Sequence, residues 1–303
     1  MLFATAICGQ RADASVLSTK NRPLGQAGGP LVYAAPTSRG VVNVYPGGQT
    51  KPTSPLYSFS FNPGVANSLV VDRRGNLFLA DSYSTWVFEY APGTSTPSKS
   101  FSTSETPFNI ALHGSTLFVY EAMESGGLAD VAVYEHGSTK VTRTLSDSAI
   151  VYPQGMAVDG AGDVFVGYSG SAVSQFGIGE FVGGRMPMVP LNLGGLYPLS
   201  LGVDPAGNLL VDAPEVSGLT SSISIFPPGR TTASATIDNL PWLYEFSLTA
   251  DGRNFYAGDM GRDRVFQMYH YPSGRLIYRF KDPEAYEGFA GICASPAAEV
   301  GTW

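Results

Sequence analysis

The sequence predicts an all-β chain folded as a single six-bladed β-propeller of four-stranded blades, closed by pairing of its C-terminal inner strand with its N-terminal strands. Three observations predict it: a turn-rich composition with few charges, a motif that recurs along the whole chain, and incomplete units at the two ends that complement each other.

The composition comes first. The chain of 303 residues holds 36 Gly and 22 Pro, with 44% hydrophobic and 14% charged residues, which suits a well-buried, turn-rich chain better than a helical or disordered one. Eighteen Lys and Arg stand against 25 Asp and Glu, a net charge of −7. Such a balance repels nucleic acid and anionic membrane surfaces unless one face segregates its cations. The nearest candidate, Arg262 with Arg264, is interleaved with Asp259 and Asp263, so no nucleic-acid partner is expected. No apolar run approaches the length of a membrane-spanning helix. Cys8 and Cys293 are too few and too far apart for a zinc knuckle or a disulfide framework.

The first residues, Met1 to Gly9, are apolar and lead to Ala12-Asp13-Ala14, which resembles the end of a secretory signal without its basic leading region. Ile7 before Cys8 argues against a lipid-attachment box. Residues 1–29 are therefore expected to be a truncated signal-like or flexible segment, residues 30–303 the propeller, and the location extracellular or periplasmic.

The repeat is the strongest signal. Val71-Asp72-Arg-Arg-Gly-Asn-Leu-Phe-Leu-Ala-Asp81 recurs from Val158-Asp159, from Val203-Asp204 and, less closely, from Thr249-Ala-Asp251, with a shorter copy from Leu112-His113. Taking Asp72, His113, Asp159, Asp204 and Asp251 as anchors, the steps are 41, 46, 45 and 47 residues, the size of one propeller blade. Each unit opens with an apolar inner strand, turns at the anchor, and returns as a second apolar strand. Gly with Asn or Asp supplies the positive-φ positions of a tight hairpin.

A third strand ends in an aromatic residue before a turn, at Tyr45, Tyr90, Tyr134, Phe226 and Tyr271. A polar outer strand follows it. In the remaining unit the third strand is the least regular, and the glycines between Gly177 and Gly184 suggest a bulge or an insertion. Leu31 to Ala35 is a second strand with no inner strand before it, and Phe289 to Cys293 is an inner strand with no partner after it. Together they complete one blade and close the ring, which leaves no open sheet edge.

These units resemble NHL-repeat propellers, through Asp72-Arg-Arg-Gly-Asn-Leu-Phe-Leu-Ala-Asp81 and Asp251-Gly-Arg-Asn-Phe-Tyr-Ala-Gly-Asp-Met-Gly-Arg-Asp-Arg-Val265. The resemblance spans about residues 30 to 294 and implies the fold. It leaves function open, because related rings include lactonases, lyases and interaction modules. In the senescence-marker-protein and gluconolactonase propellers the resemblance implies a divalent cation in the central channel, held mostly from the column five residues before the anchor. That column here is Asn67, Phe108, Gln154, Leu199 and Phe246, closed by Ala290 or a neighbour. It is mostly apolar, a poor set for a hard cation that needs several oxygen ligands, so no metal or other cofactor is expected. His113, His136 and His270 fall at turns on the opposite face, so no histidine-based catalytic set is expected.

Two further columns remain. The second strands end at Asp81, Glu121, Tyr168, Ala213 and Asp259, with Asp212 one step earlier in its blade. These acids are either turn-bonding side chains or a polar rim for a ligand. Seven residues before the anchors lie Tyr152, Tyr197 and Tyr244, with Phe61, Phe108, Trp242 and Tyr286 in equivalent loops. Aromatic rings at a concave mouth offer flat surfaces to sugars, peptides or apolar ligands; packing between blades is the other reading. The expected function is a secreted or periplasmic, monomeric binding or scaffold propeller, holding a carbohydrate, peptide or protein partner on its upper face. Its ligand-binding residues would be Tyr152, Tyr197, Trp242, Tyr244, Phe108, Asn67 and Gln154. The alternative is an enzyme of the lactonase or lyase class using Asn67, Gln154, Asp81, Glu121 and Asp259.

Overall fold

The computed structural model describes residues 30–37, 40–61, 64–123, 128–170, 175–215, 220–259, 265–282 and 288–295. The signal-like segment 1–29, Cys8 and Tyr286 lie outside them. Within the described residues the chain forms six four-stranded antiparallel sheets arranged as a ring of blades. Blade I joins the two ends of the chain: its inner strand β24 (Phe289–Ser295) pairs with β1 (Leu31–Pro36), with Tyr33 opposite Cys293 and Ala35 opposite Gly291. The inner strands of blades II to VI are β4 (Ala66–Val71), β8 (Thr106–His113), β12 (Tyr152–Val158), β16 (Ser200–Val203) and β20 (Leu243–Leu248).

The anchor residues build the inner hairpins. Asp72 Oδ1 accepts from the backbone N–H groups of Arg74 and Asn76, both at 2.8 Å, and Asn76 Nδ2 donates to Oδ2. Asp204 repeats this set with Ala206 and Asn208, and Asp159 the backbone pair with Ala161 and Asp163. A carboxylate that accepts its own turn's amides satisfies donors a tight loop would otherwise leave unpaired. Gly75 then turns the chain at φ 84°, a conformation that costs glycine nothing.

Blade VI departs from the expected register. The backbone bonds that flank Asp72, N–H to Asn76 and carbonyl to Gly75, are made in blade VI by Thr249 with Asn254 and Gly252. Thr249 is therefore the anchor, its hydroxyl accepting from Asn254 N–H at 3.2 Å, while Asp251 lies inside a turn one residue longer. The column five residues before the anchors is then Asn67, Phe108, Gln154, Leu199 and Tyr244, with Tyr244 in place of Phe246. The column seven before becomes Tyr152, Tyr197 and Trp242, with Trp242 in place of Tyr244.

The same shift corrects the third-strand aromatics. The residue facing the start of the second strand is Tyr45, Tyr90, Tyr134, Phe181, Phe226 or Tyr269 in the six blades, and none is more than 5% exposed. Tyr271 instead donates its hydroxyl to Asp204 of the neighbouring blade at 2.6 Å. The glycine-rich third strand of blade IV, Phe176–Phe181, pairs in unbroken register. Its glycines make room, since a Cβ at Gly179 would overlap the Met188 side chain and one at Gly177 the Tyr168 hydroxyl.

Side chains of the middle strands are buried on both sheet faces, so the core is divided into six layers, one between each pair of neighbouring blades. Each buried aromatic contributes roughly 2–3 kcal/mol by leaving water.

Candidate functional site

The inner strands run side by side around the axis, and their anchors align them into rings of six residues. The ring five before the anchors caps the channel on its upper side. Asn67 Nδ2 donates to the Tyr244 hydroxyl at 3.0 Å and to the Phe108 carbonyl at 3.4 Å, so blades II, III and VI meet across the axis. The Phe108 and Tyr244 rings lie 6.5 Å apart, tilted by 57°. Gln154 is hydrogen-bonded to the Tyr197 hydroxyl and donates to Ser169 Oγ at 3.4 Å, while Tyr197 meets Phe176 edge-on at 5.5 Å. Tyr152, at the start of its strand, is 50% exposed. Trp242 is half-buried, and its indole N–H has no acceptor among the described residues.

Five inner strands carry a register shift at this level, between Ala66 and Ser68, Pro107 and Asn109, Pro153 and Met156, Leu243 and Phe246, and Phe289 and Gly291. An extra residue in one strand turns a side chain out of the alternating pattern. These bulges release Asn67, Phe108, Gln154 and Tyr244 from the interblade layers toward the cap.

One ring deeper stand Ser68, Asn109, Gly155, Ser200, Glu245 and Gly291. Glu245 has no counterpart in the expected site. Its Oε1 accepts from Ser68 Oγ and its Oε2 from Ile292 N–H, both at 2.9 Å. Burial pushes its carboxyl up to about 8, against the lowering effect of these hydrogen bonds. The glycines in this ring allow the strands to close in; a Cβ at Gly291 would stand 3.4 Å from Glu245 Oε2 and 3.0 Å from the Ala66 carbonyl.

The acids at the ends of the second strands stay in their own loops. Asp81 Oδ1 accepts from Tyr83 N–H at 3.0 Å and Val65 N–H at 3.2 Å, and its Oδ2 from Ser84 Oγ at 2.7 Å. Glu121 accepts from Ser104 Oγ and Glu105 N–H; burial raises its carboxyl to about 7. Asp259 faces Arg279 at 3.7 Å, and the turn after it lies outside the described residues. Asp212 is fully buried, with the Ser221 hydroxyl as its hydrogen-bonding neighbour. Burial pushes its carboxyl well above the carboxylate range, the neighbouring Ser221 hydroxyl working the other way. Among the described residues no three His, Cys, Asp or Glu side chains are grouped to hold a metal. The channel ring of Asn67, Phe108, Gln154, Leu199, Tyr244 and Ala290 supplies two amides and a phenol and no carboxylate, which does not fit a hard cation.

Two expected outcomes follow from these carboxyls. Asp81→Ala strands the N–H groups of Tyr83 and Val65 and should lower stability by about 1–3 kcal/mol, read as a shift in the urea midpoint; an unchanged midpoint would contradict the turn-bonding role. Glu245 and Glu121 keep protons in the folded chain at pH values where unfolded carboxyls have lost them, so folding takes up protons and stability falls as pH rises. The melting temperature should drop between roughly pH 5 and pH 8 as these groups ionise, and Glu245→Gln should flatten that drop. A melting temperature that climbs through this window would contradict the assignment.

Six antiparallel four-stranded blades closed through β1 and β24 define a six-bladed β-propeller. No family model matches the chain, and no curated relative matches it. Solved structures do. A chain of a nidogen/laminin complex superposes with a TM-score of 0.69 at 15% identity, covering 89% of this chain and 100% of that one. A Bacteroides caccae protein of unknown function gives 0.65 at 9% identity, over 88% and 98% of the two chains. Kuenenia stuttgartiensis hydrazine synthase gives 0.55 at 16% identity, over 73% and 68%. At these identities the likeness is one of fold. Among the described residues no helix is long and apolar enough to cross a membrane.

Proposed function

We propose that this chain is an NHL-type propeller that works outside the cytoplasm as a monomeric binding or scaffold module, holding a carbohydrate, peptide or protein partner on its upper face without breaking a bond. The observation that carries this reading is the cap. Five blades contribute Asn67, Phe108, Gln154, Tyr197 and Tyr244 to one surface over the channel, flanked by Tyr152 and Trp242. Aromatic faces beside amides suit ligands that present both apolar surface and hydrogen-bonding groups. Of the acids in the enzyme alternative, Asp81 and Glu121 are occupied by hydrogen bonds in separate loops and Asp259 faces Arg279. The fold is also that of a chain found in a nidogen/laminin complex.

A glycan and peptide array screen tests the proposal, with Trp242→Ala and Tyr197→Ala measured on each hit. Loss of an aromatic anchor should weaken binding by about 2 kcal/mol, roughly thirtyfold, and the ligand should be recovered unaltered by mass spectrometry. Undiminished binding in both variants would remove the cap from the site. A chemically altered ligand would favour the lactonase- or lyase-like alternative.

A further inference from the structure

Beneath the cap, the inner strands of all six blades line a well of about 170 Å³. None of the cap residues lines it. Its lining begins at the ring of Asn109, Ser200 and Glu245 and ends at Val71, Leu112, Val158, Val203 and Leu248, the residues just before the inner hairpin turns. Between these ends the wall mixes polar and apolar groups, with Leu69, Met156 and Leu201 among its lining residues. The well therefore approaches Glu245 from the lower face, opposite the aromatic cap.

When Glu245 ionises, it has no countercharge beside it. The groups that bond it, Ser68 Oγ and the N–H groups of Ile292 and Leu69, are neutral dipoles. Its titratable neighbours, Tyr244 and Cys293, are weak acids that burial holds protonated. Among the described residues no Lys, Arg or His forms an ion pair with it. Its three donors also leave one lone-pair position of the carboxylate free. An enclosed carboxylate of this kind gains most from an incoming cation, because the low local dielectric strengthens the pairing.

We propose that the well binds a small amphipathic cation, a primary ammonium group on a short apolar stem, which enters from the face of the inner hairpin turns and sets its charge against Glu245. An ammonium group carries three donors, and three residues with side-chain acceptor atoms, Glu245, Asn109 and Ser200, line the inner end of the well. The stem lies against the apolar part of the wall, where burial of methylene groups adds to the affinity. This site is separate from the proposed partner face, from which it is divided by the Asn67, Phe108 and Tyr244 cap.

The test is isothermal titration of the full chain with hexylammonium chloride and with 1-hexanol, which shares the stem and lacks the charge. Wild-type protein at pH 8 should bind hexylammonium at least roughly tenfold more tightly than hexanol, and Glu245→Gln should abolish that difference while leaving hexanol binding in place. If Glu245→Gln does not fold, the wild type still decides. Its preference for hexylammonium should fall as pH drops below the Glu245 value of about 8, because the proton then competes with the ligand, by up to about tenfold per pH unit. Failure of hexylammonium to bind, equal binding of the two ligands, or a preference that survives Glu245→Gln or is unchanged from pH 8 to pH 6 would each overturn the proposal. None of these outcomes bears on binding at the upper face.

Discussion

Truncation after Gly288 should abolish the cooperative unfolding transition of the whole chain. The removed strand β24 is the inner strand of blade I and packs against the inner strands of blades II and VI. With it go Phe289 and Ile292, both buried and each contributing roughly 2–3 kcal/mol, as well as the Ile292 N–H bond to Glu245. Loss of the strand also opens β1 along an edge that is fully paired in the closed ring. Against a total stability of about 5–15 kcal/mol, this deficit is large. The truncated chain should show no sigmoidal transition in urea followed by tryptophan fluorescence. A transition with an unchanged midpoint would mean that the ring does not depend on its last strand.

Gly155→Ala should be the most damaging single methyl addition. Gly155 lies at the bulge of β12, where a Cβ would stand 2.5 Å from Leu201 N and 2.6 Å from Ser200 Cα. These are backbone atoms of β16 in the adjacent blade, and they cannot move aside as a flexible side chain would. Separating two inner strands disturbs the cap and the well together, so a cost of about 3 kcal/mol or more is expected, with loss of upper-face binding alongside it. The control is Gly195→Ala, at a site where an added Cβ meets no neighbour. Its cost should be limited to the backbone penalty of a positive φ, roughly 1 kcal/mol. Equal effects of the two substitutions would contradict the close approach of blades IV and V.

The ring was legible because its repeat has a local physical cause. An Asp that bonds its own turn, followed by Gly and Asn, can be recognised without knowing what the blade packs against, and the lone inner and second strands at the chain ends could only complete each other. The candidate site was harder to place. In blade VI a threonine hydroxyl does the work of the anchor carboxylate, and Asp251 two residues later offers a false match. A step of 45 residues from Asp204, equal to the step before it, lands on Thr249 and was the available signal. The two-residue error displaced Tyr244 and Trp242 by one column each. It also hid Glu245, which stands opposite Ser68, Asn109 and Ser200 only when Thr249 is the anchor. Phe181 was missed for another reason, since the glycines before it that admit Tyr168 and Met188 resemble a break in the strand.

The cap, the well and the ring of six layers all rest on the pairing of β1 with β24, and one cross-link tests that pairing directly. Tyr33 lies opposite Cys293, and cross-strand neighbours fall within the Cα separation of about 4.4–6.8 Å that a disulfide spans. In a Cys8→Ser background, Tyr33→Cys should be oxidised to an intramolecular disulfide with Cys293, detected by mass spectrometry of the digested protein and by faster migration on a non-reducing gel. Quantitative formation of that disulfide in the folded protein is the expected result. Persistence of two free thiols under oxidising conditions, with the fold intact, would place the chain ends in different blades and contradict the closed six-bladed ring.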